Sequence, residues 1–315
     1  MSASTPTPEA LLRRMEMTVL RRLDGLLHGD YHTLFRGIGI DLADLREYQY
    51  QDDVRHIDWN VTARMQTPYV KEFHEERELT AWFLLDLSGS EDFGSQQVSK
   101  RMQAIYLTAV LASVLNRHGN RFGAVLYGAG KDSVLTTRNG RQQILRLLHG
   151  MHGCKPPDPA TSGSRAGTRL HQLLETAAGV ARRRSLVFLI SDFISEPGWE
   201  RPLAALTHRH DVIAIRLYDP LEMSLPDLGL LTIQDAETAE QILVDTHDAG
   251  FRSRFVAAVG EREERLRESF AEAGVDVLEI STEDDIVDAL YRFSDLRKHA
   301  SRLATGGSAQ PWRAS

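Results

Sequence analysis

Residues 79–90 read Leu-Thr-Ala-Trp-Phe-Leu-Leu-Asp-Leu-Ser-Gly-Ser. The run Ala81–Leu85 has no polar face to turn to water, so it predicts a strand covered on both sides. It gives way to Asp86, Ser88, Gly89 and Ser90, polar and small residues suited to a tight turn. The pattern recurs downstream, in the short apolar runs Phe122–Tyr127, Leu186–Ile190, Val212–Leu217 and Val275–Ile280. Stretches with helical spacing intervene, at about Gln97–Arg117, Arg141–His149, Thr168–Ala181, Trp199–His208, Phe251–Ala273 and Asp284–Arg297. Strands alternating with amphipathic helices predict an α/β fold, a mostly parallel central sheet with helices on both faces. Gly119 and Gly274 stand where helices stop. Ser133–Thr136 predicts one antiparallel edge strand, and Leu230–Gln234 with Gln241–Val244 a hairpin ahead of the long helix.

Composition narrows the function. With 42% hydrophobic and 26% charged residues, the 315-residue chain reads as an ordinary globular protein with a substantial core. A net charge of -7, with both signs interleaved, attracts neither phosphate backbones nor anionic lipid, so nucleic acid is not an expected partner. No apolar run approaches the roughly 20 residues that cross a bilayer, and Met1–Ala10 lacks an apolar signal core. No membrane insertion and a cytoplasmic location are therefore expected. The single cysteine, Cys154, can form no intrachain disulfide, which suits a reducing compartment. His149, His152 and Cys154 lack a fourth ligand at zinc-finger spacing and read as loop residues.

Ligands of open parallel sheets bind outside the carboxyl ends of the strands. In the first such loop Asp86, Ser88 and Ser90 alternate, so one carboxylate and two hydroxyls can converge while Gly89 tightens the turn. Thr168 opens a helix, and the run Leu186–Ile190 leads straight into Ser191–Asp192. Each element falls at the same expected edge of the sheet. Together they offer hard oxygen donors for a divalent cation, Mg²⁺ first, with Mn²⁺ and Ca²⁺ as alternatives.

Asp86, Ser88, Ser90, Thr168 and Asp192 resemble the metal-ion-dependent adhesion site (MIDAS) of von Willebrand factor type A (vWA) domains. The resemblance covers about Leu79–Arg297 and implies a Rossmann-like vWA fold. It also implies that the hydroxyls bind the ion directly and the carboxylates directly or through water. An open coordination position then accepts a carboxylate from a partner protein. Glu91 departs from the pattern, since a hydrophobic residue is usual there. Its carboxylate either nears the ion or faces solvent, and Glu91 and Gly167 are further candidates for contact with the partner.

The segment before the first strand carries Arg36-Gly37-Ile38-Gly39 and the run Asp52-Asp53-Val54-Arg55-His56-Ile57-Asp58-Trp59. It is similar to domain-of-unknown-function family 58 (DUF58), whose members place such a run before a vWA-like domain. Because members are often encoded beside MoxR-type AAA+ ATPases, the resemblance implies such an ATPase, or its client, as the partner. The charges of Asp52, Asp53, Asp58, Arg46, Arg55 and Arg64 read first as internal ion pairs shielded by Trp59, with a functional patch as the alternative. The expected organisation is a tail at 1–8, an N-terminal segment at 9–78, the vWA-like domain at 79–298 and a second tail at 299–315.

Enzyme chemistry at this loop would need more. No histidine falls at a predicted strand carboxyl end to activate Ser88, and His208 and His210 lie at the opposite edge. The alternative is a metal-dependent phosphatase or phosphotransferase with Asp86 as nucleophile. Such a site wants a second aspartate where Ser88 stands, and a basic residue for phosphate that Asp86–Ser90 lacks. A non-enzymatic binding module is the expected function.

Overall fold

The apolar runs do form strands of one sheet in the computed structural model, which describes residues 7–10, 12–13, 22, 44–49, 54, 57, 59–72, 79–94, 98–128, 132–154, 168–234 and 241–305. In chain order the strands are β1 (Asp44–Glu47), β2 (Tyr69–Glu72), β3 (Thr80–Asp86), β4 (Arg121–Tyr127), β5 (Ser133–Arg138), β6 (Leu186–Ser191), β7 (Asp211–Tyr218), β8 (Leu230–Gln234), β9 (Gln241–Asp245) and β10 (Asp276–Ser281). The central sheet has the order β10-β7-β6-β3-β4-β5. Every pairing in it is parallel except β4 with β5. The helices are α1 (Trp59–Met65), α2 (Lys100–Arg117), α3 (Arg141–Gly153), α4 (Leu170–Val180), α5 (Glu200–Arg209), α6 (Pro220–Met223), α7 (Ala249–Ala273) and α8 (Ile286–Thr305).

The unbroken apolar character of β3 follows from its place in the middle of this sheet. Ala81, Phe83 and Leu85 enter one core with residues of α2, α3 and α8. Trp82 and Leu84 enter a second core with residues of α4, α5 and α7. Alternate side chains thus face opposite layers, and neither face meets water. Phe83 stacks on Phe188 at 5.2 Å between ring centroids and meets Phe122 edge-on at 6.1 Å. Each such side chain contributes roughly 1.5–3 kcal/mol by leaving water. The arrangement is an α/β fold, a mostly parallel six-stranded sheet with helices on both faces.

Several boundaries move for physical reasons. Helix α2 starts at Lys100 because Ser99 caps it, its Oγ accepting from the Met102 N–H at 3.3 Å. Helix α2 is buried from Gln103 to Leu115 apart from half-buried Tyr106, so it has no broad polar face. It shares its core with α3, α8 and Leu12. Helix α7 ends where Gly274 turns left-handed at φ 62°, its N–H reaching the carbonyls of Ala271 and Phe270. Helix α8 continues to Thr305. At the other end residues 8–10 are already helical, with Thr7 Oγ1 accepting from the Ala10 N–H.

Strands β8 and β9 pair only with each other among the described residues, leaving Leu230, Ile242 and Leu243 exposed. In the N-terminal segment β1 and β2 pair antiparallel and Val70 is buried. Trp59 is 70% exposed. Asp52, Asp53, Arg55 and Asp58, which carry most of the expected ion pairs, lie outside the described residues. No helix among the described residues is long and apolar enough to cross a membrane.

Candidate metal centre

Asp86 is the last residue of β3, which runs between β4 and β6. It is 1% exposed. Its Oδ1 accepts from the Ser88 N–H at 3.1 Å and its Oδ2 from Ser191 Oγ at 2.8 Å. The chain then forms a short 3-10 turn at Gly89–Asp92. Within it Ser88 Oγ and Ser90 Oγ lie 3.1 Å apart. Arg101 holds this loop from below: it donates to the carbonyls of Leu87 at 2.7 Å and Cys154 at 2.8 Å and pairs with Asp92. The loop leaves little room, for a Cβ on Gly128 would sit 2.6 Å from Cys154 Sγ and 3.1 Å from the Leu87 carbonyl.

The turn carries Glu91 inward. Of the two placements open to this residue, the structure shows the one away from solvent, with no exposed surface. Glu91 Oε1 accepts from the Asp192 N–H at 2.8 Å, whereas Oε2 has no partner among the described residues. Asp192, just beyond β6, accepts from the Ile194 N–H at 2.8 Å through Oδ1 and from Lys100 Nζ at 2.7 Å through Oδ2. One carboxylate oxygen each from Asp86, Glu91 and Asp192 lies within 4.8 Å of the other two.

Thr168 sits at the same edge, two residues ahead of α4, and is 4% exposed. Its carbonyl accepts from Ser195 Oγ at 2.8 Å and from the Glu196 N–H at 2.9 Å, which ties it to the Asp192 loop. The next residue, Arg169, donates its N–H to the hydroxyl of Tyr127, the last residue of β4, at 3.1 Å. Thr168 is therefore anchored to the ends of the two strands that flank β3. Gly167 lies outside the described residues.

Lys100 is the residue that the sequence reading missed. Its side chain is fully buried, and Nζ bridges Asp192 and Glu222 Oε1 at 2.7 Å each. Glu222 belongs to α6, whose cap Asp219 accepts from Thr282 Oγ1 at 2.8 Å, so the bridge reaches the ends of β7 and β10. A signal was present: a cation in the first turn of a helix opposes the helix dipole, so a lysine there needs another partner. Ser191, which donates to Asp86, was passed over because it stands beside the more conspicuous Asp192.

The electrostatics follow from burial. Desolvation pushes the Asp86 carboxyl up to about 6; Asp192 adds to the rise, and the hydrogen bonds from Ser191 and Ser88 oppose it. Glu91 is driven well above the usual carboxylate range, first by burial and then by Asp192, with Lys100 opposing. Burial alone would lower the Lys100 ammonium, but Asp192, Glu91 and Glu222 overcome it and raise its pKa. Three converging carboxylates thus face one ammonium. When all are ionised an excess of negative charge remains, and a hard divalent cation is suited to cancel it. The donor set of carboxylates and hydroxyls fits such an ion. Among the described residues this is the one group of three or more His, Cys, Asp or Glu ligand atoms close enough to share an ion, and it excludes His149, His152 and Cys154.

Comparison with known proteins agrees with the reading of the sequence. The family described as "Protein of unknown function DUF58" matches residues 44–265. Uncharacterized proteins of Mycobacterium tuberculosis and Mycobacterium bovis are each 34% identical over 296 residues, covering 94% of this chain and 92% of theirs. Among solved structures, an aerotolerance-related membrane protein from Bacteroides fragilis superposes with a TM-score of 0.45 at 13% identity, over 70% of this chain and 99% of that one. The conserved hypothetical protein BatB from Bacteroides thetaiotaomicron gives a TM-score of 0.43 at 14% identity, over 72% and 100%.

Proposed function

The chain belongs to the DUF58 family, and from that premise we propose that it is a non-enzymatic protein-binding module built round one divalent cation. Asp86, Ser88, Ser90, Thr168 and Asp192 would hold the ion, with Mg²⁺ the first candidate and Mn²⁺ or Ca²⁺ the alternatives. The ion supplies the positive charge that draws an acidic group of a partner protein to this edge of the sheet. The partner is a MoxR-type AAA+ ATPase or its client, and the joint task is assembly or maturation of a protein complex. That part of the proposal rests on the family resemblance alone.

The observation that carries the reading is the convergence of three buried carboxylates, one with an oxygen that lacks a partner among the described residues. A buried polar oxygen without a partner is costly, and sites that keep one commonly serve a ligand. The setting of Asp86 favours binding over phosphoryl transfer. Both of its oxygens already accept hydrogen bonds and its side chain is buried, a poor posture for in-line attack on a phosphate.

The test has three arms. Thermal melts with Mg²⁺, Mn²⁺ or Ca²⁺ against chelator should show a rise in the midpoint with ion; no shift at millimolar ion removes the cation. Affinity capture from the native cell, with ion present, should recover an AAA+ ATPase or its client with wild type and not with Asp86→Ala. Equal recovery by both proteins removes the ion from recognition. Metal-dependent turnover of a generic phosphate ester, lost in Asp86→Ala, would overturn the binding reading in favour of the phosphatase.

A further inference from the structure

The six carboxylate oxygens of the centre are not equivalent. Asp86 has both engaged, by Ser88 and Ser191; Asp192 has both engaged, by Ile194 and Lys100. Glu91 Oε1 takes the Asp192 N–H. Glu91 Oε2 alone has no donor among the described residues, although the side chain is completely buried. Nothing in the hydrophobic layers explains this placement. A glutamate that served only to cap the Asp192 amide could be replaced by a neutral acceptor without burying a charge beside two others. The geometry is instead that of a ligand held ready, with one oxygen fixed by a backbone N–H and the other left for something positively charged.

We infer that Glu91 is a direct ligand of the bound cation and fills, from within the chain, the coordination position that an external carboxylate would take. The inference rests on the cation reading above and deepens it. Asp86, Glu91, Asp192 and Glu222 with Lys100 sum to three negative charges when ionised, more than a divalent ion cancels. The loaded centre then has no surplus positive charge to offer an acidic partner. A partner carboxylate reaches the ion by replacing Glu91, so the residue acts as an internal competitor and sets the threshold for recognition.

The test uses Mn²⁺ with the full chain as wild type, Glu91→Gln and Glu91→Ala. Calorimetric titration gives affinity, and water-proton relaxation gives the number of waters on bound Mn²⁺. Glu91→Gln keeps an oxygen for the Asp192 N–H and should melt no lower than wild type in chelator, which separates loss of a ligand from loss of the fold. Mn²⁺ affinity should fall by roughly 10- to 100-fold in both variants, a range seen even when supporting residues of metal sites are removed. Bound Mn²⁺ in Glu91→Ala should gain one water, and millimolar acetate should restore part of the affinity there while leaving wild type unchanged. Unchanged affinity and water count in both variants would overturn the inference and leave the cation site standing. Failure of wild type to bind Mn²⁺ would overturn both.

Discussion

Among the described residues, two buried charged clusters are built differently. On the face of the sheet covered by α7, Arg216 of β7 forms a two-pronged ion pair with Glu263, NH1 to Oε2 at 2.5 Å and NH2 to Oε1 at 2.6 Å, and NH1 reaches half-exposed Glu279 at 3.0 Å. The deeply buried pair is one cation against one anion. At the carboxyl edge one ammonium faces Asp86, Glu91 and Asp192 and shares itself with Glu222. The first cluster matches cation to anion where α7 packs on the sheet, although Arg216 Nε finds no partner among the described residues. The second carries a deficit of positive charge in a place where solvent cannot supply it.

The contrast can be broken at either end. Arg216→Met strands Glu263 as a buried charge and should cost about 3–5 kcal/mol in denaturant unfolding, with the response of the melting midpoint to cation unchanged. A cation response lost along with the stability would mean that the two clusters are one system. Lys100→Met should also destabilise the chelated protein, by about 3 kcal/mol at the lower end of that range. There, however, a divalent ion should recover a large part of the loss, because it replaces the missing positive charge. Identical melts of Lys100→Met with and without ion would make the carboxyl edge a second structural ion-pair cluster. In wild type, ion at 100 times its dissociation constant should add about 2.7 kcal/mol, and Asp86→Asn should abolish that increment. The smallest effect concerns His210 at the opposite edge. Its buried ring has no partner for either nitrogen among the described residues, and its pKa is lowered, first by desolvation and then by Arg209. The unfolded chain therefore takes up the proton more readily than the folded one, and stability should fall as pH drops below about 6.5. Urea midpoints measured from pH 7.5 to 5.5 should decline less in His210→Gln than in wild type.

What could be read from the sequence was whatever repeats or has a spacing. The strands were legible because buried parallel strands must be apolar on both faces, and Asp86, Ser88 and Ser90 because alternate residues of one loop carry the same kind of donor. Glu91 was visible as an extra carboxylate, but its direction depends on the 3-10 turn at Gly89–Asp92, which a local reading does not supply. The partners of Lys100 were illegible for a deeper reason: they lie 92 and 122 residues away, in the segments after β6 and β7. Only the strand order brings those segments to the start of α2.

Lys100 also changes what a protein chemist would see. A primary amine with no exposed surface, held protonated between two carboxylates, is neither accessible nor nucleophilic. Amine-directed acylating reagents should pass it by while the carboxyl edge is intact and mark it as soon as that edge opens. Mass-spectrometric labelling at this one side chain would thus act as a clock for local opening of the carboxyl edge.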